Sequence, residues 1–434
     1  MTDDRRLRVA LLGAGSVGSQ VAALLLTHQD ELADRAGVAL DLVGIAVRDV
    51  DAPRDTDLPR ELLTTDADAL IVGADIVIEL MGGIEPAREY LMLALNSGAD
   101  VITANKALLA THGPEVFESA DRVGASVYYE AAAAGAIPII RPLRDSLAGD
   151  RVVRIMGIVN GTTNYILDRM DSEGADFADV LADAQRLGYA EADPTADVEG
   201  YDAAQKAAIL ASLAFHTAVP LEAVHREGIT TITAAMIEEA RDAGFVIKLL
   251  AVCERLIDDA AESISVRVYP ALVPRSHPLA SVHGANNAVF VEAEAAGSLM
   301  FYGAGAGGVQ TASAVLGDVV SAARRHIAGG VGQGESTRAN LPIVPIGHVT
   351  TRYQITLEVD DEPGVLAAIA GILSEGGVSV ATVVQTVDPD QEGTARLMIG
   401  THTATDSALS DTVARLDASD VVEKVVSVLR VEGE

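Results

Sequence analysis

The sequence predicts an α/β protein with a doubly wound parallel sheet at its N-terminus, an α+β domain in the middle and a ferredoxin-like domain at its C-terminus. Apolar strand-like runs alternate with helical stretches over residues 1–150, and mixed strands and helices follow from about residue 151. Residues 353–431 then have the order strand-helix-strand-strand-helix-strand. A chain of 434 residues, 49% of them hydrophobic, is long enough for two or three packed domains.

The N-terminal domain, residues 1–150, has the pattern of successive βαβ units, which predicts a parallel sheet. Strands are predicted at 7–12, 40–47, 76–80 and 101–103, with a helix at 17–26. A glycine-rich stretch and a helix at 311–327 follow much later in the chain. We expect residues 303–330 to complete this first domain.

The middle domain, residues 151–302, is predicted to bind substrate and to form dimer contacts. The predicted elements are a strand at 152–159, a long alanine-rich helical region at 176–213 and strands at 264–269 and 288–293. The single cysteine, Cys253, lies in an apolar stretch at 245–256 that we interpret as helical. One cysteine excludes an intrachain disulfide and a zinc cluster, and without a Cys-His signature a buried structural thiol is favoured over a nucleophile.

The C-terminal domain, residues 351–434, follows a linker predicted at 331–350. Its predicted strands and helices are 353–359, 364–375, 378–386, 394–401, 404–416 and 421–431.

The formal net charge of −32 argues against nucleic-acid binding and against attraction to an anionic membrane. No apolar run is long enough to cross a bilayer, and the first residues lack the apolar core of a secretory signal, so we expect a cytoplasmic protein. The acidity fits either a solvated high-salt surface or a biased codon usage.

The predicted strand at 7–12 runs directly into Gly13-Ala14-Gly15-Ser16-Val17-Gly18 and then into an apolar helix. Glycines here permit a tight turn, close approach of the backbone to a pyrophosphate and close helix–strand contact. Between a strand and a helix at the start of a βαβ series, this pattern predicts a Rossmann-type dinucleotide site. A glycine-rich turn without a ligand is the alternative.

Arg48 follows the second predicted strand, where an NAD-preferring site usually has an acidic residue. An arginine there favours the 2′-phosphate of NADP(H). Asp49 is adjacent and could compete, and Arg48 could be a solvated loop cation, so use of NAD(H) stays open.

Three further motifs lie between residues 103 and 206: TANK at 103–106, NGTTNYIL at 160–167, and GYAEADP at 188–194 with DVEGYDAAQK at 197–206. Together with the glycine fingerprint, their order and spacing resemble homoserine dehydrogenases over about residues 5–330. The C-terminal domain resembles an ACT domain, which many members of that family carry.

The resemblance implies reversible NAD(P)H-dependent reduction of L-aspartate 4-semialdehyde to L-homoserine, a step in threonine, methionine and isoleucine biosynthesis. It implies that Lys206 is the general acid/base, that Glu191 and Asp202 bind the substrate, and that Lys106 lies near the reacting centre and the nicotinamide. It also implies cofactor contacts at Thr103, Lys106 and Gly188.

The chemistry of the residues supports a lysine in this role, because hydride reduction of an aldehyde leaves negative charge on its oxygen. The chain has four lysines: Lys106, Lys206, Lys248 and Lys424. On chemistry alone Lys106 and Lys206 could exchange roles. Asp202 and Lys206 could instead form an exposed i,i+4 helix salt bridge. The polar residues at 160–164 fit a helix cap at least as well as a substrate contact.

Two glycine-containing loops complete the predicted site. Residues 130–138 resemble the family's segment that binds a monovalent cation through main-chain carbonyls, which implies sodium at Glu130, Ala133, Gly135 and Ile137. The polyalanine run there departs from the varied residues expected. Bare amides at 303–308, before a helix, suit contact with a nicotinamide or phosphate group, so Gly305 and Gly307 are predicted at the cofactor. An interdomain hinge is the alternative for that loop.

The ACT resemblance rests on Pro363-Gly364-Val365-Leu366 after a strand. ACT modules commonly pair across a dimer and bind an amino acid, so we expect threonine as effector and a homodimer or homotetramer. A purely oligomerising domain is the alternative for this module.

Two other functions compete with the main interpretation. A phosphoglycerate dehydrogenase also combines a nucleotide domain with an ACT tail, but it has the fingerprint in mid-chain. A non-catalytic redox or amino-acid sensor would not need the constellation of Glu191, Asp202 and Lys206.

Overall fold

The computed structural model describes residues 6–54, 56–258, 261–329, 337–387 and 393–433, so residues 331–336 of the predicted linker lie outside it. The chain forms two compact units. The first contains Met1–Gly161, Gln205–Glu222 and Asn286–Leu341, and the second contains Thr162–Ala204, Ala223–Ala285 and Pro342–Glu434.

The N-terminal strands and helices alternate as predicted. The strands are β1 (Arg6–Leu12), β2 (Ala39–Ala46), β3 (Leu63–Thr64), β4 (Ile76–Glu79), β5 (Asp100–Thr103) and β6 (Val127–Tyr128). The helices are α1 (Ser16–Thr27), α2 (Gln29–Ala36), α3 (Ala67–Val72), α4 (Ala87–Asn96), α5 (Lys106–Val123) and α6 (Glu130–Ala134). The six strands form one parallel sheet in the order β3-β2-β1-β4-β5-β6, which confirms the doubly wound fold.

The middle of the chain mixes both kinds of element. Its strands are β7 (Val152–Ile158), β8 (His225–Arg226), β9 (Phe245–Asp258), β10 (Ala261–Pro274), β11 (Asn286–Ala293) and β12 (Gly297–Ala304). Its helices are α7 (Gly161–Glu173), α8 (Phe177–Arg186), α9 (Thr195–Val198), α10 (Tyr201–Phe215), α11 (Ala234–Asp242) and α12 (Gly308–Ala328). In the first unit β11 pairs antiparallel with β7 and β12, and in the second unit β9 and β10 form a long hairpin.

The helical region predicted at 176–213 contains three helices, which are separated where Gly188 and Gly200 have φ of +78° and where Pro194 precedes α9. One sequence prediction in the middle region was wrong. The stretch 245–256 around Cys253 is strand β9, not a helix. A continuous apolar run does not distinguish the two by periodicity, and pairing with β10 over its whole length decided the outcome. The prediction that Cys253 is buried is confirmed, and burial raises the pKa of its thiol to about 12.

The C-terminal elements are β13 (Thr350–Thr351), β14 (Tyr353–Asp360), α13 (Val365–Glu375), β15 (Val380–Val387), β16 (Thr394–Thr401), β17 (Ala404–Thr405), α14 (Asp406–Asp417) and β18 (Lys424–Val431). The antiparallel order β18-β14-β16-β15 confirms the ferredoxin-like fold. Strand β18 also pairs in parallel with β10, at Ala271 with Arg430 and at Leu272 with Val431. The second unit therefore joins the C-terminal module to β10 through main-chain hydrogen bonds.

The core of the first unit is closed by helix α12, which packs against α1 and buries Ala312, Val315, Val319 and Ala322 in the same cluster as β1. The amphipathic spacing of these residues explains why one face of α12 is buried. Within the ranges described, no helix is long and apolar enough to cross a membrane.

Lys248 on β9 is a fully buried lysine of the second unit. Its Nζ donates to Asn164 Oδ1 at 3.0 Å and to the Val282 carbonyl at 2.7 Å, and Asn164 Nδ2 donates to the carbonyls of Val282 and Gly284. Asn164 of the NGTTNYIL motif therefore anchors the loop at 282–284. Burial lowers the pKa of Lys248 to about 8.

We expect Lys248→Met to remove a pH dependence of stability. The folded chain releases the Lys248 proton near pH 8, whereas an unfolded lysine holds it to about 10.5, so the unfolding free energy of the native protein should rise over that interval. The upper limit of the slope is about 1.4 kcal/mol per pH unit. Urea denaturation across this range measures it, and the exposed Lys424→Met is the control. Parallel curves for the native protein and Lys248→Met would contradict the assignment.

Candidate active site

The three glycines of the loop between β1 and α1 serve two different purposes. Gly13 has φ of +97°, and a Cβ there would lie 2.8 Å from the Leu80 carbonyl oxygen. A Cβ on Gly18 would lie 2.1 Å from the Gly13 oxygen, whereas a Cβ on Gly15 would meet nothing within 4 Å. The first and third glycines are therefore needed for packing, and the second leaves open space for a ligand at the start of α1.

This loop lies at the point where the strand order reverses, between β1 and β4. Ligands of open α/β sheets bind at that crevice, outside the carboxyl ends of the strands. Gly13 donates to the Ala46 carbonyl at the end of β2, and Leu80 donates to Leu12, so the loops after these strands converge. Ser16 and Val17 begin α1, and Gly15, its N-cap, provides no side-chain cap.

Arg48 lies two residues after the end of β2, and both Arg48 and its neighbour Asp49 are exposed. The Asp49 carboxylate accepts the Asp51 amide at 2.8 Å, and Arg54 donates to the Asp49 carbonyl at 2.6 Å. Asp49 therefore forms hydrogen bonds within its own turn.

The TANK motif joins β5 to α5. The Thr103 hydroxyl donates to Glu79 at 2.7 Å and accepts the Asn105 amide, so a cofactor contact by Thr103 would fall to its main chain. Asn105 caps α5 by accepting the Leu108 amide at 3.1 Å. Lys106 is the first residue of that helix.

The loop at 303–308 brings α12 beside the glycine loop. A Cβ on Gly308 would lie 2.9 Å from the Ser16 carbonyl oxygen, so α12 begins in close contact with the start of α1. Gly307 has φ of +128°, which favours glycine. A Cβ on Gly305 would collide with the side chain of Asn287, a fully buried asparagine whose amide has no hydrogen-bond partner among the described residues.

Lys206 is buried on helix α10. Its Nζ donates to the Val159 carbonyl at 2.6 Å, just past the end of β7. That bond uses one of the three N–H groups of the ammonium and fixes its position. Asp202 is also buried, and its four-residue spacing from Lys206 puts both side chains on one helix face.

Two further predicted residues lie in the second unit, in the break between α8 and α9. Gly188 ends α8, where it donates to the Gln185 carbonyl at φ of +78°. Glu191 is exposed, and its carbonyl accepts Gln185 Nε2 at 3.1 Å. Asp193 instead binds the Thr195 hydroxyl and amide, which lowers its pKa. The loop thus leaves Glu191 exposed and uses Asp193 for its own structure.

The buried carboxylate of Glu130 accepts its hydrogen bonds from N–H groups of the protein. It accepts the amides of Ile139, Ile140 and Arg141 at 2.6, 2.7 and 3.0 Å, and the Arg141 Nε at 2.8 Å. Asp318 accepts the Glu130 amide at 2.9 Å, and burial raises the pKa of Asp318 to about 7. Only main-chain carbonyls of this loop are therefore suited to a cation.

The backbone of that loop turns sharply after α6. Gly135 has φ of +61°, and a Cβ there would lie 2.2 Å from the Gly305 carbonyl oxygen. Ala133 and Ile137 are buried on either side. The predicted cation loop and the predicted cofactor loop are thus in main-chain contact, which includes a hydrogen bond of 3.1 Å from the Ala136 amide to the Ala304 carbonyl.

Helices α5 and α10, which carry the two lysines, also line one cavity of about 630 Å³. Its walls include Leu109, Phe117, Ile209 and Leu213. Leu109 and Ile209 each lie three residues after a lysine. Neither Lys106 nor Lys206 lines the cavity itself.

Sequence reasoning missed Glu79, Asn287 and Gly308. A carboxylate that ends a buried strand was a usable signal for Glu79, since the sequence there reads Ile-Val-Ile-Glu. Nothing in the sequence distinguished Asn287 from other polar residues, and the predicted glycine loop at 303–308 includes Gly308 but did not indicate its contact with Ser16.

Comparison with known families matches three segments of the chain. Residues 13–130 match the family described as "Homoserine dehydrogenase, NAD binding domain", residues 138–320 match "Homoserine dehydrogenase", and residues 353–420 match "ACT domain".

Similar proteins match over nearly the whole chain. A homoserine dehydrogenase of Corynebacterium glutamicum is 56% identical and covers 98% of this chain and 96% of its own. A crystal structure of a homoserine dehydrogenase from Thiobacillus denitrificans has a TM-score of 0.90 at 38% identity, over 99% of this chain and 98% of that one. A hyperthermophilic archaeal homoserine dehydrogenase in complex with NADPH has a TM-score of 0.60 at 27% identity, over 75% of this chain and 99% of that one.

We expect Gly15→Ala and Gly18→Ala to act differently. Gly15 has φ of −74° and open space at its Cβ, so alanine should leave the melting temperature unchanged but raise the KM for the nicotinamide cofactor about ten-fold. Alanine at Gly18 should lower the melting temperature, because its Cβ would collide with the Gly13 carbonyl. Steady-state kinetics and thermal denaturation separate the two effects. A normal cofactor KM for Gly15→Ala would argue against pyrophosphate at this loop.

Proposed function

The chain belongs to the homoserine dehydrogenase family, and we propose that it interconverts L-aspartate 4-semialdehyde and L-homoserine with Lys206 as the proton donor and acceptor. The observation that carries this role is the Lys206 ammonium, held at 2.6 Å from the Val159 carbonyl on a helix that also carries Asp202. The rival interpretations as a phosphoglycerate dehydrogenase or a sensor do not agree with this family membership.

The reaction needs a hydride on carbon and a proton on oxygen. A nicotinamide cofactor, when bound, would supply the hydride. Lys206 donates a proton from Nζ to the developing alkoxide, and its positive charge stabilises that oxygen before the proton moves. In the oxidative direction the neutral amine accepts the hydroxyl proton of homoserine. Lys106, at the start of α5, acts near the nicotinamide and the reacting carbon.

Glu191 and Asp202 bind the substrate in this proposal. The α-ammonium group of aspartate semialdehyde or homoserine needs hydrogen-bond acceptors, and carboxylates are the strongest acceptors among the side chains. Asp202 is buried, which strengthens a charge-assisted hydrogen bond, whereas Glu191 is exposed and can approach a ligand from a loop.

We expect Lys206→Ala to lower kcat by about 10² to 10⁴, because the alkoxide loses its proton donor. The KM for the cofactor should change little. Initial rates of NADPH oxidation with aspartate semialdehyde give both kcat and the cofactor KM. Lys424→Ala, which changes an exposed lysine, is the control. A near-normal kcat would remove Lys206 from the mechanism and leave Lys106 as the donor to test.

The cofactor is proposed to be NADP(H) in preference to NAD(H). The exposed Arg48 guanidinium after β2 suits a 2′-phosphate, and the engagement of Asp49 with its own turn supports that choice. Cofactor contacts are proposed along the glycine loop and at the residues Thr103, Lys106, Gly188, Gly305 and Gly307.

We expect Arg48→Ala to lower kcat/KM for NADPH about ten-fold and to leave the value for NADH unchanged, because only NADPH carries the 2′-phosphate. Arg35→Ala is the matched control, since Arg35 is an exposed arginine of α2 that pairs with Glu31. If the native enzyme clearly favours NADH, the proposed preference is wrong.

A sodium ion is proposed at the main-chain carbonyls of Glu130, Ala133, Gly135 and Ile137. The support is the close approach of the Gly135 main chain to the Gly305 carbonyl oxygen, together with a Glu130 carboxylate that already accepts hydrogen bonds from four N–H groups. Activity that is unchanged in sodium-free buffer would count against this site.

The ACT module is proposed to bind threonine and to join subunits of a homodimer or homotetramer. Strand β15 is the last in its sheet order, and its side chains at 381–386 are exposed, including Val383 and Val384. A long apolar edge strand favours pairing with another chain. Gln385 Nε2 donates to Asp361 Oδ1 at 3.0 Å, which links β15 to the loop before α13.

We expect Val384→Lys to yield a smaller oligomer and to weaken inhibition by threonine, because a charge on the apolar edge opposes pairing. Light scattering measures the mass, and activity with and without threonine measures the regulation. Val72→Lys, at an exposed valine at the end of α3, is the control. An enzyme that is indifferent to threonine throughout would leave the ACT module with an oligomerising role only.

The boundaries at residues 150, 302, 330 and 350 remain predictions, as does the cytoplasmic location. They do not affect the chemistry proposed for Lys206.

A further inference from the structure

A short segment of the second unit, residues 225–229, is called the bridge segment here. It begins with β8, which pairs in parallel with β10 at Arg267 and Val268. The Glu227 amide then donates to the Val268 carbonyl at 2.8 Å. The bridge segment is therefore fixed to the strand that also pairs with β18.

One side of the bridge segment holds the loop that leads into α10. Arg226 Nη1 donates to the Glu199 carbonyl, and its guanidinium lies 3.6 Å from the centroid of the Tyr201 ring. The Ile229 amide donates to the Val198 carbonyl at 2.8 Å. These bonds fix the residues directly before Asp202.

The close approach of the two backbones needs glycine at position 228. A Cβ on Gly228 would lie 2.5 Å from the Val198 carbonyl oxygen and 2.7 Å from Glu199 Cα. Thr230, just beyond the segment, donates to Glu199 Oε1 at 3.0 Å. The loop before α10 is thus bound through its main chain and through one side chain.

The other side of the bridge segment contacts the C-terminal module. Arg430 of β18 donates through Nη1 to Glu227 Oε1 at 2.8 Å and through Nε to Asp406 Oδ1 at 2.8 Å. Tyr353 also donates to Asp406 Oδ1 at 2.8 Å, and His225 Nε2 lies 2.7 Å from Glu227 Oε1. The Arg430 guanidinium therefore links Asp406 of the ACT module to Glu227 of the bridge segment.

We propose that Arg226 is a positioning residue for the first turn of α10, and that Arg430, through Glu227, makes this position depend on the ACT module. The inference rests on the proposed function, because it requires that Asp202 binds the substrate. Asp202 follows Tyr201 directly, so a shift of the ring and of the Glu199 carbonyl moves its carboxylate. Displacements of about 1 Å can cost up to about 10²-fold in rate when they occur at a binding constellation.

The test compares Arg226→Met and Arg430→Met in the full-length enzyme with Arg396→Met. Arg396 is the matched control, because it also joins the ACT module to another part of the second unit, donating to Glu239 Oε1 of α11 at 2.9 Å, but it does not contact the bridge segment. Kinetics in the homoserine-oxidising direction give the KM for homoserine, the KM for NADP⁺ and kcat. Thermal denaturation reports structural damage separately.

We expect Arg226→Met to raise the KM for homoserine about ten-fold and the KM for NADP⁺ less than about two-fold. Arg430→Met should change the same KM in the same direction by a smaller factor, and the double variant should show less than the product of the two factors. Arg396→Met should lower the melting temperature without this KM split.

Two results would overturn the inference: equal KM values for Arg430→Met and Arg396→Met, or a normal homoserine KM for Arg226→Met. If Arg226→Met does not fold, Arg226→Lys is used instead. Lysine retains the positive charge but lacks the planar guanidinium with its fixed set of donors. A normal homoserine KM for Arg226→Lys would also overturn the inference. A near-normal kcat for Lys206→Ala would overturn the proposed role of Lys206, whereas a strongly lowered kcat for Lys206→Ala together with a normal homoserine KM for Arg226→Met would overturn only this inference.

Discussion

The nucleotide half of the molecule depends on one geometric constraint, the convergence of strand carboxyl ends at a single edge of a parallel sheet. Main-chain segments after β1, β2 and β4 meet there so closely that Gly13 and Gly18 have no room for a Cβ. The start of α12 enters the same space through Gly308 against Ser16. Close backbone packing at this edge leaves Gly15 as the open position, where helix amides and dipole favour an anion.

Several buried charged side chains of the described residues are held by ionic or hydrogen-bonding partners. The Glu130 carboxylate satisfies three main-chain amides and Arg141, and Arg267, fully buried on β10, donates to Glu254 and Tyr269. Removing one partner of such a group leaves an uncompensated charge, so these networks constrain the loops around them more strongly than exposed ion pairs do. This explains how a loop of four alanines and a glycine can hold a defined shape.

Main-chain hydrogen bonds as well as side-chain contacts attach the C-terminal module to the rest of the second unit. Main-chain pairing of β18 with β10 makes its sheet continuous with the long β9–β10 hairpin, and Glu432 accepts the Tyr269 hydroxyl just beyond it. A small-molecule effector of the ACT module would act on a strand that is hydrogen-bonded to β10. Differential binding to two arrangements of that strand is what regulation would require.

The sequence by itself determined the elements whose signals are local: the strand–glycine–helix unit at 6–27, the ferredoxin-like order at 353–431 and the family motifs around Lys106 and Lys206. Periodicity, turn residues and motif spacing are read over a few neighbours, so these features needed no tertiary information. The same reasoning mistook β9 for a helix, because an unbroken apolar run is ambiguous until its partner is known. Only the tertiary structure decided that Glu130 meets Asp318, that Gly308 meets Ser16 and that Arg430 meets Glu227, since these contacts join residues far apart in the chain.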